Sequence, residues 1–457
     1  LRHYRFAEIL GMTIETEWFL KTYPNITTIE AIMPDCNGIM RGKWVPVEKL
    51  GKLFSGDAKL PKSALNLDVW GRDVEELVFE SGDEDGLCAA VEGSLQATPW
   101  SPGERYGECQ LTMLNQDGSP YMGDPRQVLQ AIVKKYHAQG WHPVVAGELE
   151  FSLVTLNHQR PVHTSKTLPG ELPIGGNLYG TDSLLEHEAL LDDIRQACQI
   201  QSLPFDGVVK ESAPSQYEIN MRHHSDPLLA ARQILQMRRL VKGVASKHGF
   251  VATFMPKPFI GESGNGMHIH MSLLDNDDRN LFDNGQEQGS ELLQHAIAGM
   301  LKHMRDCTLI FAPHINSYRR LEPGVHAPTY PAWGYENRTV ALRVPTGATK
   351  SRRIEHRVAG AEANPYLVMA AVLAAAWDGL TNKLTAPPPI TGDGYAQTID
   401  PLPIHIHEAV EIFSASSFIA EGLSPELRRH LALTKEQEIL EFRRYISTME
   451  YQTYLQY

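Results

Sequence analysis

Two short stretches restrict this chain more than any other feature: Gly147-Glu148-Leu149-Glu150-Phe151 and Met267-His268-Ile269-His270-Met271. Each alternates ionisable and apolar residues inside a strand-like run, Val144–Val154 in the first case. On a strand, residues two apart project to one face, so the two carboxylates stand side by side, as do the two imidazoles. Adjacent carboxylates repel and raise each other's pKa unless a cation lies between them. One divalent metal ion, or a pair, is the simplest resolution. Taken alone, ExE also describes a solvated face, and HxH a pair of structural histidines.

Further donors accompany them. Glu211 and Glu218 bracket Ser212-Ala213-Pro214-Ser215-Gln216-Tyr217, where Pro214 favours a loop, and Glu355 lies in Arg352-Arg353-Ile354-Glu355-His356-Arg357. Carboxylates with one or two imidazoles make an oxygen-rich set suited to Mg²⁺ or Mn²⁺ rather than Zn²⁺. Arginines gather beside the set: Arg320, Arg338, Arg343, Arg353 and Arg357, with Lys350 among them. Guanidiniums bind carboxylate and phosphate oxygens bidentately and offset charge in phosphoryl transfer. No G-x-x-x-x-G-K-[ST] stretch occurs, which disfavours a P-loop enzyme.

The remaining chain sets the frame. A net charge of −13 argues against a nucleic-acid footprint. It suits a cationic small substrate or simply solubility. Five cysteines without a CxxC pair fit a reducing compartment, and a cytoplasmic location is expected. The apolar run Pro365–Leu380 is too short to cross a bilayer and reads as a buried helix. The chain starts at Leu1, and no leader-type apolar segment with a cleavage site follows. No repeat is evident, and Ala386-Pro387-Pro388-Pro389 reads as a surface loop.

The first hundred or so residues carry short β-like runs such as Thr27–Ile32 and Glu76–Phe79. From Asp124-Pro125 the style changes to an N-capped helix over Arg126–Gln139, then the Val144–Val154 strand. A second capped helix runs from Asp226-Pro227 to about Lys247, followed by strand-like Phe250–Met255. The expected class is α/β or α+β with a boundary near residue 120.

Ordered blocks from about residue 25 almost to the C-terminus resemble the glutamine synthetase superfamily. They are GELEFSL (147–153), KESAPSQYEINM (210–221), ATFMPKP (252–258), GNGMHIHMSL (264–273), NSYRRLEPGVHAP (316–328), ENRTVALRVP (336–345), and KSRRIEHR with EANPYL (350–367). The resemblance implies an α+β chain: a helical lead-in (1–24), an N-terminal β-grasp domain (25–120) and a catalytic α/β domain on a curved antiparallel sheet (121–457). It implies a homo-oligomer, a dodecamer of two stacked hexameric rings. It further implies that ATP, as co-substrate, phosphorylates the γ-carboxylate of L-glutamate, with two to three Mg²⁺ or Mn²⁺ per site. Glu150, Glu211 and Glu218 then match the ligands of one metal, and Glu148, His268 and Glu355 those of the metal nearer the nucleotide. Gly264 and Arg320 match the groups that hold the amino-acid end of glutamate. Arg338 and Arg357 match those that meet the phosphoryl group and γ-carboxylate, while His270, Ser272, Arg343, Lys350 and Arg353 match nucleotide contacts.

The chain departs from ammonium-using members at the nucleophile side. His326 stands where they carry a glutamate, and residues 56–68 lack the F-D-G-S-S stretch, although Asp57 and Asp68 are nearby. Fewer carboxylates weaken ammonium binding and leave room for an alkyl chain. His326 then acts as a general base or merely lines the amine pocket. Lys210 replaces a histidine of ammonium users, and DCNGIMRGKWVP (35–46) resembles the amine-ligating branch that includes γ-glutamylpolyamine synthetases. No nucleotidylation through Tyr395 is expected. The reading is therefore an ATP-dependent glutamate–amine ligase acting on a polyamine or monoamine, with glutamine synthetase itself as the alternative. A non-catalytic scaffold should have lost metal ligands, and a metal-dependent hydrolase does not explain the arginines.

Overall fold

The computed structural model describes residues 13–164 and 177–457. Residues 1–12 of the expected lead-in lie outside that range; the described part of it forms a helix, Ile14–Thr22.

A six-stranded sheet comprises β1 (Thr28–Pro34), β2 (Met40–Pro46), β3 (Ala58–Pro61), β4 (Asp85–Ala90), β5 (Gln96–Ala97) and β6 (Tyr106–Leu114), in the order β2-β1-β6-β4-β3 with β5 on β6. β1 and β6 run parallel and the other pairs antiparallel. The strand expected around Glu76–Phe79 is instead a helix, Glu75–Ser81. Two glutamates sit in its first turn, and Gly82, in the left-handed conformation (φ 64°), returns its N–H to the Val78 carbonyl. Those terminal signals outweigh a short apolar run.

The second sheet has nine strands: β7 (His142–Asn157), β8 (Arg160–His163), β9 (Phe205–Lys210), β10 (Gln216–Met221), β11 (Val251–Thr253), β12 (Met267–Leu274), β13 (Trp333–Tyr335), β14 (Leu342–Val344) and β15 (Ile354–His356). The order is β13-β14-β15-β12-β7-β10-β9, with β8 and β11 also on β7. The sheet is mixed rather than antiparallel, because β13 pairs with β14 in parallel. The connection reverses at Glu336, which holds a left-handed φ of 49°, and at Asn337, whose Oδ1 accepts from the Thr339 N–H at 2.9 Å. Strands of three residues allow so short a return.

Helices cover the back of this sheet. α1 (Pro125–Ala138) and α2 (Pro227–Lys247) start on Asp124 and Asp226, whose carboxylates accept first-turn N–H groups. α3 (Pro365–Asn382) is capped by Asn364 and mostly buried, hence its largely apolar composition, broken by Asp378. On β7 the odd positions Leu149, Phe151 and Leu153 are buried in this core, whereas Glu148 and Glu150 face the other way. A Cβ on Gly147 would come within 2.7 Å of Ile234 Cδ1, so glycine lets α2 lie close behind the charged positions. Among the described residues no helix is long and apolar enough to cross a membrane.

The helix α4 (Pro425–Arg444), followed only by a short helix at Thr448–Tyr454, joins the two sheets. Its fully buried Lys435 donates to Asn37 Oδ1 and to Glu438 Oε2 (2.9 Å), while Glu438 Oε1 accepts the Val69 N–H at 3.0 Å. Asn364 donates to the Asp35 carbonyl at 2.8 Å. The Asp35-Cys36-Asn37-Gly38 stretch is thus an internal joint. Replacing Glu438 by alanine strands the Lys435 ammonium in the interior, and urea unfolding should show a loss of about 3 kcal/mol.

Candidate active site

Strand register, more than sequence spacing, assembles the charged cluster. Across the sheet Glu150 pairs with Glu218, Glu148 with both Asn220 and His268, and His270 and Arg343 both with Glu355. Partners on adjacent strands share a face, so carboxylates, imidazoles and a guanidinium converge on the side away from the helices. Donor atoms of Glu148, His268 and Glu355 lie within 4.8 Å of one another, as do those of Glu150, Glu218 and His268. His268 serves both groups, and Glu211 belongs to neither. It lines the same cavity from the turn after β9.

Burial, and then the charges of Glu148, Glu150 and Glu211, push Glu218 up to about 9; burial and Glu150 push Glu211 up to about 7. Against burial, His268 and His270 hold Glu148 well below the carboxylate range. Against burial too, the Arg357 charge and the two imidazoles bring Glu355 down to about 2. The cluster therefore holds more acid groups than its own cations can keep ionised. An oxygen-rich, partly protonated set of this kind suits a hard divalent cation, which Glu148, Glu150, Glu218, His268 and Glu355 could hold, with Glu211 lining the same cavity.

Guanidiniums form the next layer. Glu355 accepts from Arg343 Nη1 at 2.7 Å and from Arg357 Nη1; Glu336 accepts from Arg343 Nη2 at 3.0 Å. Arg357 Nη2 also donates to the carbonyl of His326 at 3.4 Å. Arg338 is exposed and lines the cavity near Glu211. Arg320 is 4% exposed and donates to the Val358 carbonyl at 2.8 Å. Gly264 packs against it: a Cβ there would meet Pro256 O at 2.1 Å and Arg320 Cγ at 3.0 Å.

Two cavities meet on this face. One of about 370 Å³ is lined by the carboxylates, Gly264, Arg320, Arg338, Arg357 and the 325–327 loop. The other, about 1040 Å³, is lined by Ser272, Lys350 and Arg353. Glu148, Asn220, His270 and Arg353 border both. His270 bridges them, with Nε2 2.8 Å from Glu148 and Nδ1 accepting from Arg353 Nε at 3.2 Å.

His326 lines the smaller cavity, exposed, with a left-handed φ of 59°. The flap's Glu322 is tied to Lys257 at 3.3 Å. Lys210 turns its ammonium into the backbone, onto the carbonyls of Glu211 (2.8 Å) and Ala213 (2.7 Å), and burial lowers its pKa to about 8. Asp68 is buried against Arg72 and Gln437, and Asp57 bonds Ser55 on the surface. All five cysteines are buried as free thiols. Sequence reasoning passed over Asn220 and Glu336. Asn220 follows Glu218 at the same two-residue spacing and donates to it at 2.8 Å. Glu336 opens a block already singled out for its arginines.

The glutamine synthetase catalytic-domain family matches residues 122–454. Gamma-glutamylputrescine synthetase PuuA of Escherichia coli K12 is 38% identical over 96% of this chain and 94% of the relative. A glutamine synthetase of Thermotoga maritima is 30% identical over 97% and 100%. The solved GmaS/ADP complex superposes with a TM-score of 0.84 at 26% identity, covering 98% of this chain and 100% of that one.

The raised acids make a pH-dependent prediction. Glu211 and Glu218 bind more protons folded than unfolded, so without a cation they cost stability as pH rises from about 5 to 9. The rise in melting temperature produced by Mg²⁺ should therefore grow across that range, as read by differential scanning calorimetry at matched ionic strength.

Proposed function

This chain belongs to the glutamine synthetase family, and on that premise we propose that it joins the γ-carboxylate of L-glutamate to a polyamine or monoamine in an ATP-dependent ligation. The observation that carries the reading is the composition of the smaller cavity, where Glu148, Glu150, Glu211, Glu218 and five arginines face a flap that offers an imidazole, His326, while its Glu322 is tied to Lys257. The greater identity to a γ-glutamylputrescine synthetase than to a glutamine synthetase, 38% against 30%, points the same way.

The larger cavity, with Ser272, Lys350 and Arg353, takes ATP, and the smaller takes glutamate on Gly264 and Arg320. The γ-carboxylate attacks the terminal phosphorus, giving γ-glutamyl phosphate and ADP. Arg338, Arg343 and Arg357 offset the charge that develops. The neutral amine then attacks the acyl carbon, phosphate leaves, and the amine gives up one proton, with His326 the group placed to take it or to border the alkyl chain. Bound divalent ions supply charge neutralisation and orientation of phosphate oxygens.

The small mixed sheet corresponds to the β-grasp unit, and the chain works as a cytoplasmic dodecamer of two six-membered rings. Exposed apolar residues near the C-terminus, among them Tyr445, Met449, Tyr454 and Leu455 at 66–74% exposure, support burial by assembly.

Purified protein with ATP, Mg²⁺ and glutamate should release phosphate when putrescine, ethanolamine or another small amine is added. Release with ammonium alone would assign it as a glutamine synthetase. His326→Glu should shift the kcat/KM ratio toward ammonium by about tenfold or more, since a carboxylate lining the cavity favours the compact cation.

A further inference from the structure

Arg320 has a counter-charge in Glu362, the first residue of the EANPYL stretch, to which the sequence assigned no role. Glu362 Oε1 accepts the Ser317 hydroxyl at 2.5 Å, while Oε2 is shielded from solvent with no hydrogen-bond partner among the described residues. The carboxylate folds back over Gly360, where a Cβ would lie 2.1 Å from Oε2. Gly360 forms a β-bridge with Gly266. Against Gly266 rests the guanidinium of Arg320, 2.5 Å from where a Cβ would stand. Two glycines bridged back to back thus carry an anion on one and a cation on the other. A side chain at Gly360 would displace the carboxylate, and one at Gly266 the guanidinium.

The rest of the neighbourhood makes Arg320 need such a partner. Its guanidinium is held by the backbone carbonyls of Val358 (2.8 Å) and Arg357 (3.4 Å), with no carboxylate among the described residues in hydrogen-bond contact. The Arg357 side chain adds a second positive charge nearby, and Glu150 of the acidic cluster and Glu362 are the two carboxylates that offset it. Ser317 belongs to the 3₁₀ turn Ile315–Arg319 that delivers Arg320, and its Oγ also accepts the His314 N–H at 3.0 Å. Arg238, 7% exposed, donates to the carbonyls of Glu362 (3.1 Å) and Ala363 and so fixes the backbone that carries the acid.

We propose that Glu362 is a positioning residue for glutamate binding: it fixes the Arg320 turn through Ser317 and sets the guanidinium's orientation by its charge across the Gly266–Gly360 bridge. It touches no substrate itself. The inference rests on the assignment of Arg320 to glutamate, and it makes Glu362 selective for one of three substrates. Loss of the charge misplaces a group meant for the glutamate carboxylate and leaves the nucleotide lobe unaltered.

Glu362→Gln keeps the size and an acceptor for Ser317 but removes the charge; Ser317→Ala keeps the charge but removes the tether. Each variant is compared with the native protein for KM of glutamate, ATP and amine, and for glutamate binding by titration calorimetry. Glu362→Gln should raise the KM and Kd for glutamate by about tenfold, in line with the effect of small misplacements of a binding group. The KM values for ATP and amine should stay within about twofold, and Ser317→Ala should give a smaller shift of the same kind. Unchanged glutamate affinity in a folded Glu362→Gln, or an equal rise in all three constants, would overturn the proposal. Absence of glutamate-dependent turnover in the native protein would instead remove the functional reading beneath it.

Discussion

Crowding of like charge on one face of a sheet is the constraint on which the rest of this structure depends. Glu148, Glu150 and Glu218 are placed together by the β7–β10 register, and no rotamer change can separate groups that neighbouring backbones hold. The opposite face has to be tightly packed to keep that register, and α2 achieves this by lying against Gly147. A one-residue slip would send both glutamates into the helical core. The apolar helices and the acidic face are therefore two sides of a single requirement.

Around the cluster, charge balance runs as a chain. Glu336 holds Arg343, Arg343 holds Glu355, Glu355 holds Arg357, and Arg357 reaches the backbone of His326. The arginine-rich side of the site is thereby connected to the loop that carries His326. Such a chain restricts both ends, because a guanidinium that leaves a carboxylate must find another anion. The left-handed conformation of His326 fits a flap held by its backbone while its ring is left to the cavity.

Much of this was legible in the sequence for a definite reason. The two-residue spacing of Glu148 and Glu150, and of His268 and His270, carries strand geometry directly. Asp124-Pro125 and Asp226-Pro227 carry helix starts in the same way. What depends on pairing was not legible: His268 shared between two donor groups, Glu211 standing apart, and the parallel return of β13 and β14 follow from register and not from local pattern. The Glu75–Ser81 helix was hidden because a short apolar run does not distinguish the two periods, and its caps decide. Lys210 looked like a cavity group by position, but its ammonium satisfies backbone carbonyls instead. Glu362 opens the EANPYL block, but its relation to Arg320 was not legible, because it runs across a glycine bridge made of two distant segments.

The central claim is that one activated acyl group is made on this face and then taken by an amine. Glutamate labelled with ¹⁸O in its γ-carboxylate tests this most directly, with ATP and an accepted amine, followed by mass analysis of the released phosphate. Transfer of one labelled oxygen into phosphate for each amide formed is the predicted result. Amide formation with unlabelled phosphate would contradict the account.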